Sequence, residues 1–320
     1  MIEAKVICDS ITEYSPRLTT LQLRYPRFIH PELMTHRAFS RNASSSRAVP
    51  VRKNLEEVRN PDLKAGPVWW GKEQKGMQSG EELDPETKQD TEFWWDEAAI
   101  NAVAVAEKLM SLNAHKSIVN RLLEPFLHIN VVLTSCEPGL MNFFGLRLDR
   151  GTQPEMRILA EEMWKEWNDS EPRKLKPGEW HLPWIEDEDW IIMQNTVGMN
   201  PYCIEYLRRV SAARCARVSY LSFETQKRST IEEDLRLYDR LVGSRPMHLS
   251  PCEHQATPDT KMSWEIKLIG GLPIVQTGYW NHPEEHGNFS GWRQFRKMIP
   301  GEAIAPLPPE YVEKSNVSTP

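Results

Sequence analysis

The sequence predicts an α/β (α+β) fold in which a mixed or antiparallel sheet is flanked by helices. Two early runs, Lys5–Ile11 and Leu18–Arg24, are short and rich in Val, Ile, Thr and Leu, which is typical of strands. Glu92–Asn113 has a wide, alanine-rich apolar stripe that indicates a long helix. No predicted strand is followed by Gly-x-Gly-x-x-Gly, so a doubly wound dinucleotide-binding fold is not expected.

Other helices follow from apolar residues at helical spacing. Phe28–Phe39 has this spacing, and its proline falls in the first turn, where proline is tolerated. Such a helix would carry His36 and Arg37 at its C-terminal end. Further helices are predicted over Lys116–Leu127, Gln153–Trp167 and Ile231–Leu241.

Composition divides the chain into two parts. Residues 171–190 are rich in proline, tryptophan and acids, and we expect them to link an N-terminal part, 1–170, to a C-terminal part, 191–320. Asn60–Gln89 is a polar insert interrupted by glycine and proline. It fits a surface excursion or an interface arm, and the sequence does not decide between them.

Charge and cysteine content exclude several classes of protein. The 320 residues include 39 basic and 45 acidic side chains, a net charge of −6, which gives no general nucleic-acid surface. The five cysteines are widely spread without a Cys-x-x-Cys pair, which favours a reducing compartment over disulfides or structural zinc, and we expect no metal. Because we expect neither a signal peptide nor a membrane span, a cytoplasmic location is predicted.

The stretch Thr35–Arg47 combines hydroxyl and amide side chains with four cations or near-cations and contains no acid. Those cations are His36, Arg37, Arg41 and Arg47. Guanidinium forks, hydroxyls and free N–H groups suit a phosphate, and Ser44, Ser45 and Ser46 are expected to form an anion-binding nest. The alternative is a solvated basic loop.

The spacing His-Arg-x-x-Ser-x-Asn-x-x-Ser-x-Arg resembles the signature of the flavin-dependent thymidylate synthases, the ThyX family. The matching positions are His36, Arg37, Ser40, Asn42, Ser45 and Arg47. Thr35 and Ala43 depart from the family, which has Arg and commonly Glu there. Asn120–Pro125 and Leu140–Arg147 resemble the family's Ala-Arg-x-x-Leu-Pro and Ser-Leu-x-Asn-Phe-x-x-Leu-Arg segments.

Two further resemblances stand in an unusual order. Ser211–Tyr220 is similar to the family's Ala-Ala-Arg-Val-Ser-Tyr/Phe, and His248–His254 to its His-x-Thr/Ser-Pro-x-Glu-His. In ordinary members both precede the His-Arg motif, whereas here both follow it. We infer a permuted or rearranged family member.

The resemblance implies a site and a reaction. It implies contacts with FAD for His36, Arg37, Ala38, Asn142, Ser219, His248, Ser250 and Glu253. It implies contacts with the nucleotide for Glu32, Ser44, Ser45, Ser46, Arg47, Arg121 and Arg147. Arg147 is the expected catalytic residue, because a fixed cation stabilises negative charge on the pyrimidine ring. Glu32 stands where the family has Gln, and the sequence does not explain its charge.

The implied reaction moves a one-carbon unit from methylenetetrahydrofolate to C5 of dUMP with reduced FAD and without an enzyme nucleophile. NADPH would be a further co-substrate, the nucleotide a pyrimidine deoxynucleotide monophosphate, and the assembly a homotetramer. Three alternatives stay open: the same chemistry on dCMP, a hydroxymethyl product, and a degenerate non-catalytic nucleotide-binding protein.

Overall fold

The computed structural model describes residues 1–78, 80–198, 202–219, 229–269 and 272–303, without the side chains of 219, 262–269 and 272–279. Its strands are β1 (Glu3–Ile11), β2 (Leu18–Pro26), β3 (Ser40–Ala43), β4 (His128–Cys136), β5 (Arg173–Lys174), β6 (Ala256–Pro258), β7 (Lys261–Ile269), β8 (Leu272–Trp280) and β9 (Trp292–Gln294). Its helices are α1 (His30–Leu33), α2 (Val51–Arg59), α3 (Pro85–Ser111), α4 (Lys116–Val119), α5 (Glu137–Arg147), α6 (Pro154–Asp169), α7 (Asp187–Val197), α8 (Tyr202–Ala216) and α9 (Ile231–Gly243).

A five-stranded sheet of order β3-β4-β2-β1-β5 forms the centre of the molecule. Its first four strands pair antiparallel, and β5 joins the edge of β1 in parallel. The other sheets within the described residues are two-stranded, β6 with β9 and β7 with β8. A mixed sheet flanked by helices is therefore confirmed, and its mainly antiparallel order is not that of a doubly wound fold.

The two faces of the central sheet differ in character. Leu21 lies opposite Leu133 in the register of β2 and β4, while the neighbouring Thr20 lies opposite Thr134. Because successive side chains point to opposite faces, the leucines and threonines fall on separate sides. The leucine side packs against α5 and α6 in the largest apolar core, which includes Phe143.

The threonine side is covered by the predicted linker and the C-terminal part through buried hydrogen bonds. His181 Nε2 bonds to Thr20 Oγ1 (2.7 Å), Thr20 to Thr134 Oγ1 (2.7 Å), and Thr134 to His254 Nδ1 (2.8 Å). All four side chains are fully buried. Burial lowers the pKa of both histidines to about 3, so they are neutral at ordinary pH.

The helix predicted over Phe28–Phe39 is wrong beyond Leu33, where α1 ends. The chain turns through His36 and then forms β3, which pairs with β4. Arg41 makes this exit possible, because its guanidinium donates to the carbonyl of His36 (2.9 Å) and to two carbonyls at the end of α1. Carbonyls that lose their helical partners are thereby hydrogen-bonded.

The helix predicted over Lys116–Leu127 is also interrupted. α4 ends at Val119 and is followed by two 3₁₀ turns, Asn120–Leu122 and Glu124–Phe126. The buried Asn120 side chain donates to the carbonyls of Ser46 (2.6 Å) and Val49 (3.0 Å). These bonds hold the segment to the end of the Thr35–Arg47 stretch.

The other predicted elements are confirmed with small changes of boundary. β1 and β2 cover the predicted strands, and α3, α6 and α9 cover the predicted helices. α3 begins earlier than predicted, because Asp84 caps it by accepting from Thr87 N (3.1 Å) and Pro85 suits the first position. In the insert, Trp70 packs edge-to-face on Trp95 of α3 with ring centres 6.2 Å apart.

The predicted linker takes part in the fold. Leu175 N donates to Ile11 O (2.8 Å) beside β5, and His181 N donates to Ala256 O (2.8 Å). The division into two domains stays a prediction. Among the described helices, none combines the length and apolar composition that crossing a bilayer requires.

Candidate functional site

Three predicted site residues meet at the C-terminal end of α5. Arg147, the last residue of α5, donates from Nε to His36 Nε2 (2.9 Å), 111 positions away in the chain. Its Nη1 forms an ion pair with Glu32 of α1. The charge of Glu32, unexplained by the sequence, is therefore that of a counterion which holds the guanidinium group in place.

His36 is neutral in this cluster. Its ring is buried, stacked on Phe39 (centres 5.7 Å apart) and edge-on to Phe143 (4.9 Å). Burial, and then the neighbouring Arg147 and Arg41, lower the pKa of His36 from 6.5 to about 4. Since Nε2 accepts from Arg147, the ring proton lies on Nδ1.

Asn42 of β3 joins the motif to the C-terminal part. Its Nδ2 donates to the carbonyl of Cys215 (2.7 Å), and its Oδ1 accepts from Ser250 Oγ (3.1 Å), 208 positions away. Cys215 and Ser250 belong to the two displaced segments of the sequence. The structure therefore brings both segments to the strand that follows His36.

Two residues missed by the sequence reasoning surround Ser40. Asn288 Nδ2 donates to the carbonyl of Ala38 (2.9 Å) and lies 3.1 Å from Ser40 Oγ, and Gln294 Nε2 donates to the same hydroxyl (3.3 Å). Neither residue stands in a recognisable motif, and each reaches Ser40 from about 250 positions away in the chain. Only the fold reveals them.

The predicted flavin contacts are mostly exposed. Arg37, Ala38, Asn142, His248 and Ser250 all lie at the surface. The turn at Ala38 lies close to the first turn of α5, because a β-carbon at Gly139 would approach Ser135 Oγ to 2.4 Å and Ala38 Cβ to 3.1 Å. Glycine is therefore needed at this crossing. The side chain of Ser219 lies outside the described residues.

Glu253, a predicted acceptor for the flavin, already has a cationic partner. Arg296 forms ion pairs with Glu253 and with Glu302, the latter at 2.9 Å. The charge of the Glu253 carboxylate is thereby offset by Arg296.

The predicted phosphate-binding residues are divided between the interior and the surface. Ser44 N donates to Asn130 O (2.8 Å) and Ser44 Oγ accepts from Asn130 N (3.2 Å), so the expected nest is not formed at Ser44. Ser46 is buried and Ser45 half-buried. Arg47 is exposed, and Arg121 is also exposed, 3.9 Å from Glu124.

Comparisons with known proteins give one family-model match, which lies in the N-terminal part. The Thy1 family model, described as thymidylate synthase complementing protein, matches residues 17–173. A comparison with curated proteins found no match.

Solved structures overlap with about half of the chain. The UMP/dUMP methylase PolB from Streptomyces cacaoi, bound with 5-Br dUMP, is 16% identical over 52% of this chain and 90% of that chain, with a TM-score of 0.43. The flavin-dependent thymidylate synthase ThyX from Helicobacter pylori, complexed with FAD and dUMP, is 16% identical over 47% of this chain and 67% of that chain, with a TM-score of 0.32.

The matched span contains Glu32, the Thr35–Arg47 motif and Leu140–Arg147, and it ends before Ser211–Tyr220 and His248–His254. The family resemblance is thus confirmed, whereas the rearranged order of the later segments stays a prediction. Residues 17–173 of this chain match the model of the Thy1 family, the thymidylate synthase complementing proteins.

Proposed function

We propose that the chain is a flavin-dependent thymidylate synthase that transfers a one-carbon unit from methylenetetrahydrofolate to C5 of dUMP. The observation that carries this proposal is the contact between Arg147 and His36, in which two family segments converge on one partly buried guanidinium group. The hydrogen bond between Ser250 and Asn42 adds the displaced segment to the same region.

The cysteines support a reaction without an enzyme nucleophile. Burial raises the pKa of Cys8, Cys136 and Cys252 to about 12, and those of Cys203 and Cys215 are raised as well. The thiolate is the reactive form of cysteine, so thiols that stay protonated at neutral pH are poor nucleophiles.

The exposed donors fit FAD as its cofactor. A pyrophosphate is an anion, and the guanidinium of Arg37, the imidazole of His248, the amide of Asn142 and the hydroxyl of Ser250 offer it hydrogen bonds. Glu253 does not oppose an anion there, because Arg296 neutralises it. When bound, FAD would supply the hydride that reduces the transferred carbon, and NADPH would in turn reduce FAD.

Arg147 would act on the pyrimidine ring. Its hydrogen bonds to described residues use Nε and Nη1, which leaves Nη2 for a ring oxygen. Glu32 and neutral His36 fix the plane of the guanidinium group before the nucleotide arrives. A preorganised cation stabilises the charge that develops as ring N3 loses its proton, and this enriches C5 for attack. The exposed Arg47 and Arg121 would bind the phosphate.

The test is product analysis of the purified protein. We expect flavin absorbance, and a mass gain of one methyl group on dUMP when methylenetetrahydrofolate and NADPH are present. A product from dCMP, or a hydroxymethyl mass, would instead favour the alternative substrate or product. Bound flavin without product from either nucleotide would favour a binding protein, and absence of flavin after reconstitution with FAD would refute the proposal.

A further inference from the structure

The loop of residues 286–291, together with strand β9 that follows it, is firmly held against the start of β2. Phe289 and Trp292 are fully buried in an apolar cluster with Leu18 of β2. Trp292 Nε1 donates to Pro16 O (2.8 Å), and Ser15 Oγ donates to the carbonyl of Gly291 (2.8 Å). This anchoring fixes the loop relative to the motif, although the loop lies outside the Thy1 match.

The Asn288 side chain extends from this loop to the turn at Ala38. It is exposed, and its Nδ2 donates to the carbonyl of Ala38 (2.9 Å). Gln294, only 2% exposed, donates from Nε2 to Asn288 Oδ1 (3.1 Å). The orientation of the Asn288 carboxamide is therefore set from both ends.

The turn at Ala38 is confined on two sides. On one side the close approach at Gly139 places the start of α5 against Ala38 Cβ. Asn288 holds the Ala38 carbonyl and the Ser40 hydroxyl. Arg37, an exposed cation of the motif, stands on this turn, so its backbone position depends on both contacts.

We infer that Asn288 is a positioning residue of the flavin site, which fixes the turn that presents Arg37 to the anionic cofactor. The inference rests on the proposed function. A preorganised turn lowers the cost of ordering the site on binding, so loss of the Asn288 donor should weaken FAD binding. Asn288 itself need not touch the cofactor.

The test is Asn288→Asp, which keeps the shape of the side chain and replaces the Nδ2 donor by an oxygen that faces the Ala38 carbonyl. The matched control is Asn168→Asp on α6, an exposed amide that donates to the backbone carbonyl of Trp164 (2.9 Å) far along the chain from the motif. Fluorescence titration with FAD should show about a tenfold higher Kd for Asn288→Asp, the loss of about one hydrogen bond, and no change for the control.

If the contact of Asn288 with Ala38 only stabilised the fold, Asn288→Asp would change stability and not FAD affinity alone. We expect a melting temperature near that of the unmodified protein, and an unchanged kcat once FAD is saturating. An FAD Kd within twofold of the unmodified protein would overturn the inference. A melting temperature that falls while kcat stays low at saturating FAD would overturn it too.

A second readout separates this inference from the proposed function. If the unmodified protein binds no FAD, the proposed function fails, but amide hydrogen exchange of Phe39–Arg41 still reports on the turn. Faster exchange there in Asn288→Asp, with β1 and β2 unchanged, would support the positioning of the turn. Unchanged exchange over Phe39–Arg41 would overturn it.

Discussion

Replacing Arg147 by alanine is the sharpest perturbation of the proposed site. The arginine is 19% exposed and Glu32 28% exposed. Its removal leaves the Glu32 carboxylate and His36 Nε2 without their common donor. An acceptor left without a hydrogen bond lowers the free energy of unfolding by about 1–3 kcal/mol when it is fully buried. Water can reach Glu32, so we expect a loss of free energy of unfolding near the lower end, about 1 kcal/mol.

Activity should fall much further than stability. Removal of one preorganised electrostatic donor typically lowers kcat by about 10²–10³, which corresponds to about 2.7–4 kcal/mol of transition-state stabilisation. Arg147→Lys should recover little, because a point charge on a flexible chain does not present the planar fork that joins His36 and Glu32. In Arg147→Ala, the pKa of His36 should rise from about 4 towards 6.5, since one of the cations that lower it is gone.

The assay is turnover at saturating nucleotide, combined with NMR titration of His36. Arg150→Ala is the matched control, because Arg150 is an exposed arginine just beyond the end of α5. The Arg147 variants should keep their bound flavin. Turnover of Arg147→Ala within a few fold of the unmodified protein would refute the reasoning, as would a change confined to KM.

Three other predictions follow from the exposed cations, the buried histidines and the surface. Arg47→Ala should mainly raise KM for the nucleotide, because a phosphate contact acts equally in ground and transition states, while exposed Arg52 on α2 serves as the control in steady-state kinetics. His181 and His254 have pKa values of about 3 when folded and 6.5 when unfolded, so the unfolded state binds more protons between those values. The free energy of unfolding should therefore fall as pH decreases from 6.5, by up to about 1.4 kcal/mol per pH unit for each histidine, and denaturation that gives equal stability at pH 6.5 and 5 would contradict this. A homotetramer is expected, with Trp94, 68% exposed on α3, as a candidate contact, and light scattering that shows only monomer in an active micromolar sample would count against it.

Local patterns in the sequence were sufficient for much of the fold. β1, β2 and α3 follow from composition and periodicity, which depend on near neighbours in the chain. The helix predicted over Phe28–Phe39 was wrong because Arg41 and the pairing of β3 with β4 override the apolar spacing. The pairing of β3 with β4 joins residues such as Ser40 and Thr134, which are far apart in the chain, so a short window of sequence does not show it.

The candidate site depends even more on contacts between residues that are far apart in the chain. Motif spacing predicted site roles for His36 and Arg147, but not that Glu32 would pair with Arg147. Asn288 and Gln294 carry no motif, and their contacts with Ser40 depend on a fold that joins opposite ends of the chain. The pairing of Asn42 with Ser250 could be anticipated only in general terms, from two displaced segments.

The hydrogen bonds on the threonine side of the central sheet limit which segments could replace those that pack there. An apolar interface tolerates sliding, because the hydrophobic effect has no direction. The bonds from His181 to Thr20 and from Thr134 to His254 have strict angular requirements, so they select one alignment of the linker and the C-terminal part on the sheet. That alignment also places Ser250 at Asn42 and Asn288 at Ala38. A chimera that exchanged the C-terminal part for one without matching polar groups would lose this registration, even if it buried as much apolar surface.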